Sequence, residues 1–237
     1  MHPAPVSVII PTLNEARLLP LCLERLSGQD GLAEILVVDG GSRDETVRAV
    51  QDLAPRFRDS GVAVRLLRSR AGRAVQMNAG AAQARGGILM FLHADTLLPP
   101  AAILSAASAI DEGYVGGAFV HRFIERDPRL RLVSAYVNLR SRLARVYFGD
   151  QAIFIRRDLF ERMNGFRAMS LMEDLEFARR MRRAGATSLR PERIRTSARR
   201  FLSGGVARTC ARMTWLRLAY RAGADPERLS RRYRGVR

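Results

Sequence analysis

Short apolar segments alternate with longer amphipathic ones through residues 1–115, and this alternation limits the fold more than any other feature. Four apolar segments have the length of buried strands: Val6–Thr12, Glu34–Gly40, Val64–Ser69 and Gly87–Asp95. Three amphipathic segments between them predict helices: Glu15–Ser27, Asp44–Leu53 and Arg73–Arg85. Because this alternation is typical of βαβ units, the sequence predicts an α/β fold with a mostly parallel sheet flanked by helices.

Two of the predicted helices carry start signals. Ser42 is followed three residues later by Glu45, which is the spacing of a capping box. Pro99 and Pro100 suit the first turn of a further helix that extends to Glu112.

Residues 116–237 have a less regular pattern. It predicts a strand at Gly117–Glu125, a basic amphipathic helix at Arg129–Phe148, a strand with a short helix at Ala152–Phe166, a helix at Met172–Gly185 and a basic helical tail from Gly205. In that tail, Trp215 and Tyr220 belong either to the core or to an interfacial anchor.

The chain has 237 residues, 47% of them hydrophobic, which is enough to bury the core of one domain. The first ten residues lack a signal-peptide pattern, and no apolar run approaches the roughly 20 residues of a membrane span. We therefore expect a cytoplasmic protein, with peripheral contact at the inner membrane face left open. Cys22 and Cys210 have no metal-ligand or redox spacing, so we expect free thiols.

Positive charge is concentrated in one half of the sequence. The net charge is +17, and all 40 basic residues are arginine. Residues 1–115 hold 11 Arg and 12 Asp or Glu (net −1), whereas residues 116–237 hold 29 and 11 (net +18). An anionic partner should therefore meet the second half, whether it is a phosphorylated substrate, a membrane face or nucleic acid; a solvated basic surface is an equal alternative.

Polar residues follow three of the predicted strands. They form the segments Pro11–Glu15, Asp39–Glu45 and His93–Asp95. In open parallel sheets ligands bind outside the carboxyl ends of the strands, where loops and helix N-termini converge. The sequence therefore predicts a ligand site at this edge.

A set of ordered motifs resembles the family 2 glycosyltransferases. The matching segments are Ser7–Glu15, Val37–Thr46, Gly72–Gly86, Phe91–Thr96, Gly149–Phe166 and Met172–Phe177. The resemblance implies one domain with the GT-A (nucleotide-diphospho-sugar transferase) fold, with residues 1–115 binding the nucleotide sugar and residues 116–237 the acceptor. It also implies an inverting, metal-dependent enzyme of hexosyltransferase type that uses a UDP-sugar. Within the family, the chain is similar to a compact bacterial subgroup, some of whose members are associated with arsenosugar biosynthesis.

The resemblance gives a role to the strand end at His93-Ala94-Asp95. The family usually has a DxD motif here, and Asp95 matches its metal-binding carboxylate. A divalent cation beside a diphosphate eases its departure. His93 departs from the motif, so it joins the metal shell, binds the ribose or fills space; imidazole suits manganese better than magnesium.

Further donor-binding residues follow from the resemblance. Asp39 matches the carboxylate that recognises the nucleobase, although a turn aspartate before two glycines is an equal alternative. Arg73 is expected to reach the base or the diphosphate, with Arg70 as the competing choice. The loop after the first strand is expected near the base and ribose, through Pro11, Thr12, Asn14 and Glu15.

The resemblance also assigns the acceptor-side chemistry. Asp174 matches the base that takes the acceptor proton, with Glu173 as its partner or substitute; acidic residues also favour helix N-termini without any catalytic role. Asp150, assisted by Gln151, matches residues that contact the donor sugar or acceptor. Arg199 and Arg200 are placed to neutralise the departing diphosphate on a flexible arm, or else belong to a solvated basic face.

Other functions fit the sequence less well. A nucleotidyltransferase would carry a glycine-rich signature with lysine after the first strand, and an NAD-dependent dehydrogenase would carry G-x-G-x-x-G there. A nucleic-acid-binding module leaves the carboxylates at three strand ends unexplained. A catalytically degenerate relative stays open, and the acceptor is a small metabolite, a lipid-linked intermediate or a polysaccharide.

Overall fold

The computed structural model describes residues 4–234, so Met1–Pro3, part of the segment used in the signal-peptide argument, lie outside the described residues. Within this range the strands are β1 Val6–Thr12, β2 Leu32–Asp39, β3 Ala63–Arg68, β4 Ile88–Phe91, β5 Thr96–Leu97, β6 Gly116–Phe123, β7 Ile153–Arg156 and β8 Thr187–Thr196. The α-helices are α1 Leu19–Leu26, α2 Thr46–Leu53, α3 Arg73–Gln83, α4 Ala102–Asp111, α5 Pro128–Ala144, α6 Arg157–Arg162, α7 Glu173–Ala184, α8 Arg199–Gly204, α9 Val206–Arg221 and α10 Pro226–Arg234. Short 3-10 helices occupy Ala54–Ser60 and Gly149–Gln151.

These strands form one mixed sheet in the order β3-β2-β1-β4-β7-β6-β8-β5. The pairs β1–β2, β2–β3, β1–β4 and β6–β8 are parallel, and β4–β7, β6–β7 and β5–β8 are antiparallel. The predicted α/β architecture is confirmed. The sheet includes strands from both residues 1–115 and residues 116–237.

The core lies on both faces of the sheet, as the side-chain period of two requires. On β1, Val8 and Ile10 pack with α1, α2 and α4 on one face, whereas Ile9 packs with α3 and α7 on the other. Thr12 lies opposite Asp39 in the register of β1 and β2. The loops that follow these two strands therefore leave the sheet at the same edge.

Several predicted boundaries were wrong for identifiable reasons. Glu45 directly precedes α2, and the Asp44 carboxylate, not Ser42, accepts the hydrogen bond of Thr46 N at 3.1 Å. Pro99 and Pro100 precede α4, because the chain first turns through Ala101 in a left-handed conformation.

Two further segments differ from prediction in the second half. The helix expected to reach Phe148 ends at Ala144, because Arg145 is left-handed with φ 50° and directs Val146 and Tyr147 into the core. Strand β8 was not predicted, because its polar sequence lacks the apolar alternation of a strand. It is a strand because it pairs with β6 and β5.

No helix within residues 4–234 has both the length and the apolar character needed to cross a bilayer.

Candidate active site

The loops after β1 and β2 hold each other through side chains that bind backbone. Asn14 N donates to Ser42 Oγ at 2.9 Å, and Arg43 N donates back to Asn14 Oδ1 at 2.9 Å. Glu15 N donates to Thr46 Oγ1 at 2.8 Å. Because the bonds run in both directions, the two loops form one fixed unit at the sheet edge.

Asp39 is buried at the end of β2 and shapes the second loop. Its carboxylate accepts from Gly41 N at 3.0 Å and from Ser42 N at 3.1 Å. This geometry is that of an aspartate turn before two glycines. Asp39 therefore stabilises the turn before Gly40 and Gly41, which was one of its two predicted roles.

Gln76, to which the sequence assigned no role, joins the two strand ends. Its Nε2 donates to Thr12 O and to Val38 O, both at 2.8 Å, and its side chain is buried. Thr12 and Pro11 are buried beside it at the end of β1. A polar residue at a core position of α3 is the one sequence signal that marks Gln76.

Arg199 connects three of the predicted site segments. Its guanidinium lies 3.4 Å from Asp95 Oδ2 and forms an ion pair with Glu15. The antiparallel pairing of β5 with β8 brings Arg199 there, since Ser197 N donates to Asp95 O at 3.1 Å. The two arginines predicted on a flexible arm, Arg199 and Arg200, are the first two residues of helix α8.

Arg73 and Glu173 form a second ion pair, with Nε and Oε1 2.7 Å apart. The Glu173 carboxylate is almost fully buried, and burial, together with Asp174, raises its pKa, whereas Arg73 opposes the rise. The same contact raises the pKa of Arg73. Glu173 therefore lies behind Arg73 and holds it in place.

Gly149 brings His93 and Asp174 to one point. Its N donates to Asp174 Oδ2 at 2.8 Å, and a Cβ added to it would lie 2.8 Å from His93 Nε2. Any other residue at position 149 would therefore displace the imidazole. Burial, followed by the Arg73 guanidinium, lowers the pKa of His93, so its ring is neutral near pH 7.

A cavity of about 520 Å³ lies over this cluster. Its polar lining contains half of the fourteen predicted site residues: Arg73, His93, Asp95, Asp150, Asp174, Arg199 and Arg200. Its apolar walls come mainly from the second half, including Phe123 on β6, Val137 on α5 and Leu216 on α9. With Arg217, which also lines the cavity, three carboxylates, an imidazole and four guanidinium groups face one mostly apolar chamber.

The other predicted residues lie outside the cavity lining. Pro11, Thr12, Asn14, Glu15 and Asp39 belong to the neighbouring sheet edge described above. Gln151 is fully buried, with Oε1 accepting from Ser141 Oγ at 3.0 Å and Nε2 donating to Phe119 O at 3.2 Å. Its amide fixes the turn that presents Asp150.

Comparison with known proteins identifies the family. The family model "Glycosyl transferase family 2" matches residues 7–174, a range that contains the sheet-edge loops, Asp95 and Asp174. The chain belongs to glycosyltransferase family 2.

Relatives and solved structures agree with this family. A PGL/p-HBAD biosynthesis glycosyltransferase of Mycobacterium tuberculosis is 37% identical over 159 residues, which cover 65% of this chain and 60% of that one. A mannosyltransferase from Pyrobaculum calidifontis, solved with GDP-Man and Mn²⁺, superimposes with a TM-score of 0.63 and 27% identity, covering 84% of this chain and 58% of that one. S. aureus TarS 1-349 in complex with UDP-GlcNAc gives a TM-score of 0.55 with 23% identity, covering 73% and 52%. The chain therefore has the predicted GT-A fold, and it spans about 60% of the length of the mycobacterial relatives.

The cavity itself supplies few metal ligands. Within residues 4–234, no three His, Cys, Asp or Glu side chains converge as a metal-binding group. Asp95 and His93 both line the cavity, and Glu15 Oε2 is buried without a hydrogen-bond partner. One or two carboxylates plus the oxygens of a diphosphate suit a magnesium-like ion, so these residues fit a cation that arrives with a nucleotide.

Two groups beside the cavity were not predicted from the sequence. His121 on β6 is buried with neither ring nitrogen bonded, and its Nε2 lies 3.8 Å from Asp150 Oδ2. Arg140 lies 3.6 Å from the centre of the Phe148 ring, and burial with Arg217 nearby lowers its pKa to about 10. A histidine on a strand and one arginine among many carried no distinguishing pattern.

Proposed function

We propose that the protein transfers a sugar from a nucleotide diphosphate sugar, a UDP-sugar in the first instance, to an acceptor hydroxyl with inversion at the anomeric carbon. The observation that carries this proposal is the convergence of Asp95, Asp150 and Asp174, from three separate segments, on one cavity beside the sheet edge. Membership of the family supports the reaction class. The association with arsenosugars stays a prediction.

The first half is proposed to bind the donor. The fixed loops after β1 and β2 offer buried carboxylate and backbone groups to a base and ribose, with Asp39 at the base and Asn14 near the ribose. Arg73, which Glu173 holds at the cavity wall, is proposed to bind the diphosphate. The nucleotides in the solved relatives differ, since one structure contains GDP-Man and another UDP-GlcNAc.

Asp174 is proposed as the base. Its Oδ2 is oriented by Gly149 N, and the carboxylate faces the cavity. As the acceptor oxygen forms its bond to the anomeric carbon, its proton passes to Asp174 and the bond to the diphosphate oxygen breaks. The acceptor attacks from the side of the single base, and the nucleotide diphosphate departs from the opposite side. The configuration of the anomeric carbon is therefore inverted.

A divalent cation, manganese or magnesium, is proposed to bind Asp95 with His93 beside it. When bound, it neutralises charge on the diphosphate and so eases departure. Arg199 now pairs with Asp95 and Glu15, and Arg199 and Arg200 are proposed to bind the diphosphate once donor is present. The acceptor class is left open here among small metabolite, lipid-linked and polysaccharide acceptors.

Calorimetric titration of UDP, and then GDP, into the protein tests this proposal. We expect binding with manganese or magnesium that a chelator abolishes and that Asp95→Ala weakens by at least about tenfold, since a metal-ligand carboxylate is removed. Asp111→Ala, an exposed aspartate on α4, is the matched control. Binding that ignores both metal and Asp95 would remove the metal assignment; no binding of any nucleotide would favour a degenerate relative.

A further inference from the structure

Helix α5 exposes a continuous apolar stripe to solvent. Leu132, Tyr136, Leu139 and Leu143 lie four, three and four residues apart, so they share one face of the helix. Leu132 and Leu143 are 73% and 78% exposed. Stripes of this length normally face a core, so this one points to a partner.

Helix α9 carries the same spacing. Ala211, Trp215, Leu218 and Ala222, just past its end, lie four, three and four residues apart, and all four are exposed. The two helices are neighbours, since the Arg217 guanidinium lies 5.7 Å from the centre of the Tyr136 ring. We call the two stripes together the apolar face.

Helices α5 and α9 themselves carry charge of one sign, although Asp127, the N-cap of α5, pairs with Arg129. Between them α5 and α9 contain eight arginines and no Asp or Glu. Arg131 and Arg142 are exposed and each precedes an exposed leucine of the stripe, and Arg232 lies 5.3 Å from the centre of the Trp215 ring. Apolar side chains flanked by arginines are the pattern of a helix that lies in an anionic bilayer surface.

The apolar face is continuous with the cavity. Leu132 and Tyr136 belong to both, because they are exposed and also line the chamber that contains Asp174. We propose that α5 and α9 dock the protein on an anionic lipid bilayer and place the cavity mouth at the lipid surface. Docking on the bilayer does not depend on the proposed function; only the use of the cavity as an acceptor site rests on it.

Two other occupants fit the charges and shape less well. A second copy would bring two sets of exposed arginines together across an interface, which costs free energy without intervening anions. Nucleic acid would satisfy the arginines but would leave the exposed leucines in water. An anionic bilayer satisfies both the apolar and the cationic groups.

Trp215 provides a direct test, because it is the single tryptophan of the sequence and lies on the apolar face. The probes are vesicles of phosphatidylcholine alone and of phosphatidylcholine with an equal part of phosphatidylglycerol. We expect cosedimentation and a blue shift of Trp215 emission with the mixed vesicles, both weakened by added salt. Sedimentation without a shift would overturn the proposal, as would a shift that rises with protein concentration in the absence of lipid.

Leu143→Gln and Leu21→Gln form a matched pair of variants. Both leucines are exposed, but Leu21 lies on α1, away from the apolar face. We expect Leu143→Gln to weaken binding to mixed vesicles about tenfold, because one leucine no longer enters the bilayer, and Leu21→Gln to leave it unchanged. Equal effects of the two substitutions would contradict the proposal.

Nucleotide titration without vesicles separates this proposal from the proposed function. If UDP or GDP binds and mixed vesicles do not, the docking surface is wrong and the proposed function stands. If vesicles bind as expected and no nucleotide does, the docking surface stands and the proposed function fails.

Discussion

The sheet-edge loops after β1 and β2, the proposed donor side, and the second-half residues around Asp150, the proposed acceptor side, are built in opposite ways. On the donor side, Asp39 accepts hydrogen bonds from backbone N–H groups of its own loop, and Asn14 Oδ1 accepts one from Arg43 N of the neighbouring loop. On the acceptor side, His121, Arg140 and Asp150 each keep at least one buried polar atom without a hydrogen-bond partner in the structure. Among the described residues, four of the five such atoms belong to the second half.

This difference shows where binding energy is still available. Saturated groups fix a backbone shape before any ligand arrives, which preorganises the donor side. Unpaired buried groups cost stability in the free protein, and they recover that cost only when a ligand or water bonds them. The comparison therefore predicts a donor side set by backbone geometry and an acceptor side set by side-chain chemistry.

The largest effect tests the acceptor side through Asp174→Asn. An amide cannot take the acceptor proton, so we expect sugar transfer to fall by about 10²–10⁴-fold while nucleotide affinity is unchanged. Transfer measured with a labelled donor and calorimetry on the same samples check both parts. Asp111→Asn is the control, and transfer surviving in Asp174→Asn would exclude Asp174 as the base.

The next largest effect concerns the boundary between the two sides, where Arg73 on α3 meets Glu173 on α7. Arg73→Met leaves the buried Glu173 carboxylate unpaired, so we expect the free energy of unfolding to fall by about 3–5 kcal/mol. The double variant Arg73→Met/Glu173→Leu should recover much of that loss, since no buried charge remains. Urea unfolding of both variants measures this; losses that simply add would contradict a coupled pair.

The contrast between the two sides also explains how far the sequence could predict the structure. In the first half, apolar runs and turn residues determine local structure, so β1 to β4 and the site loops were predicted within a few residues. The polar segment His93–Asp95 was correctly expected at the sheet edge, although β4 itself ends earlier, at Phe91. In regular βαβ units the carboxyl ends of the strands meet at one edge of the sheet, so polar residues that follow the strands come together there without any long-range signal in the sequence.

In the second half, long-range pairing determines structure, and the sequence predicted less. Strand β8 is identifiable only because β6 and β5 pair with it, and that pairing is what places Arg199 beside Asp95. His121 and Arg140 gain their chemistry from burial, which no local pattern records. The ordered motifs located Asp150 and Asp174, but they did not reveal the apolar walls around them.

A smaller effect tests the donor side through two turn aspartates. Asp39 is buried and Asp44 is largely exposed, and each accepts hydrogen bonds from nearby backbone. We expect Asp39→Ala to lower the free energy of unfolding by about 2 kcal/mol, because buried N–H groups lose their acceptor. Asp44→Ala should lower it by less than half of that amount. Thermal unfolding compares them. A larger loss in Asp44→Ala would mean that the donor loops are not fixed by Asp39.

The smallest effect reverses the usual sign of a core substitution. His121 is buried beside the Phe123 ring, and its backbone bonds to Asn138 do not depend on its side chain. His121→Phe removes two unpaired nitrogens, so we expect the free energy of unfolding at pH 7 to rise by about 1 kcal/mol.

Burial lowers the pKa of His121, against the opposing charge of Asp150, so the unfolded chain binds a proton that the folded protein does not. Stability of the parent protein should therefore fall as pH drops below about 6.5, and more steeply than that of His121→Phe. Urea unfolding of both proteins from pH 7 to pH 5 measures the difference. Parallel pH profiles, or a less stable variant, would mean that His121 already has a partner in the free protein, and the acceptor side would then be as saturated as the donor side.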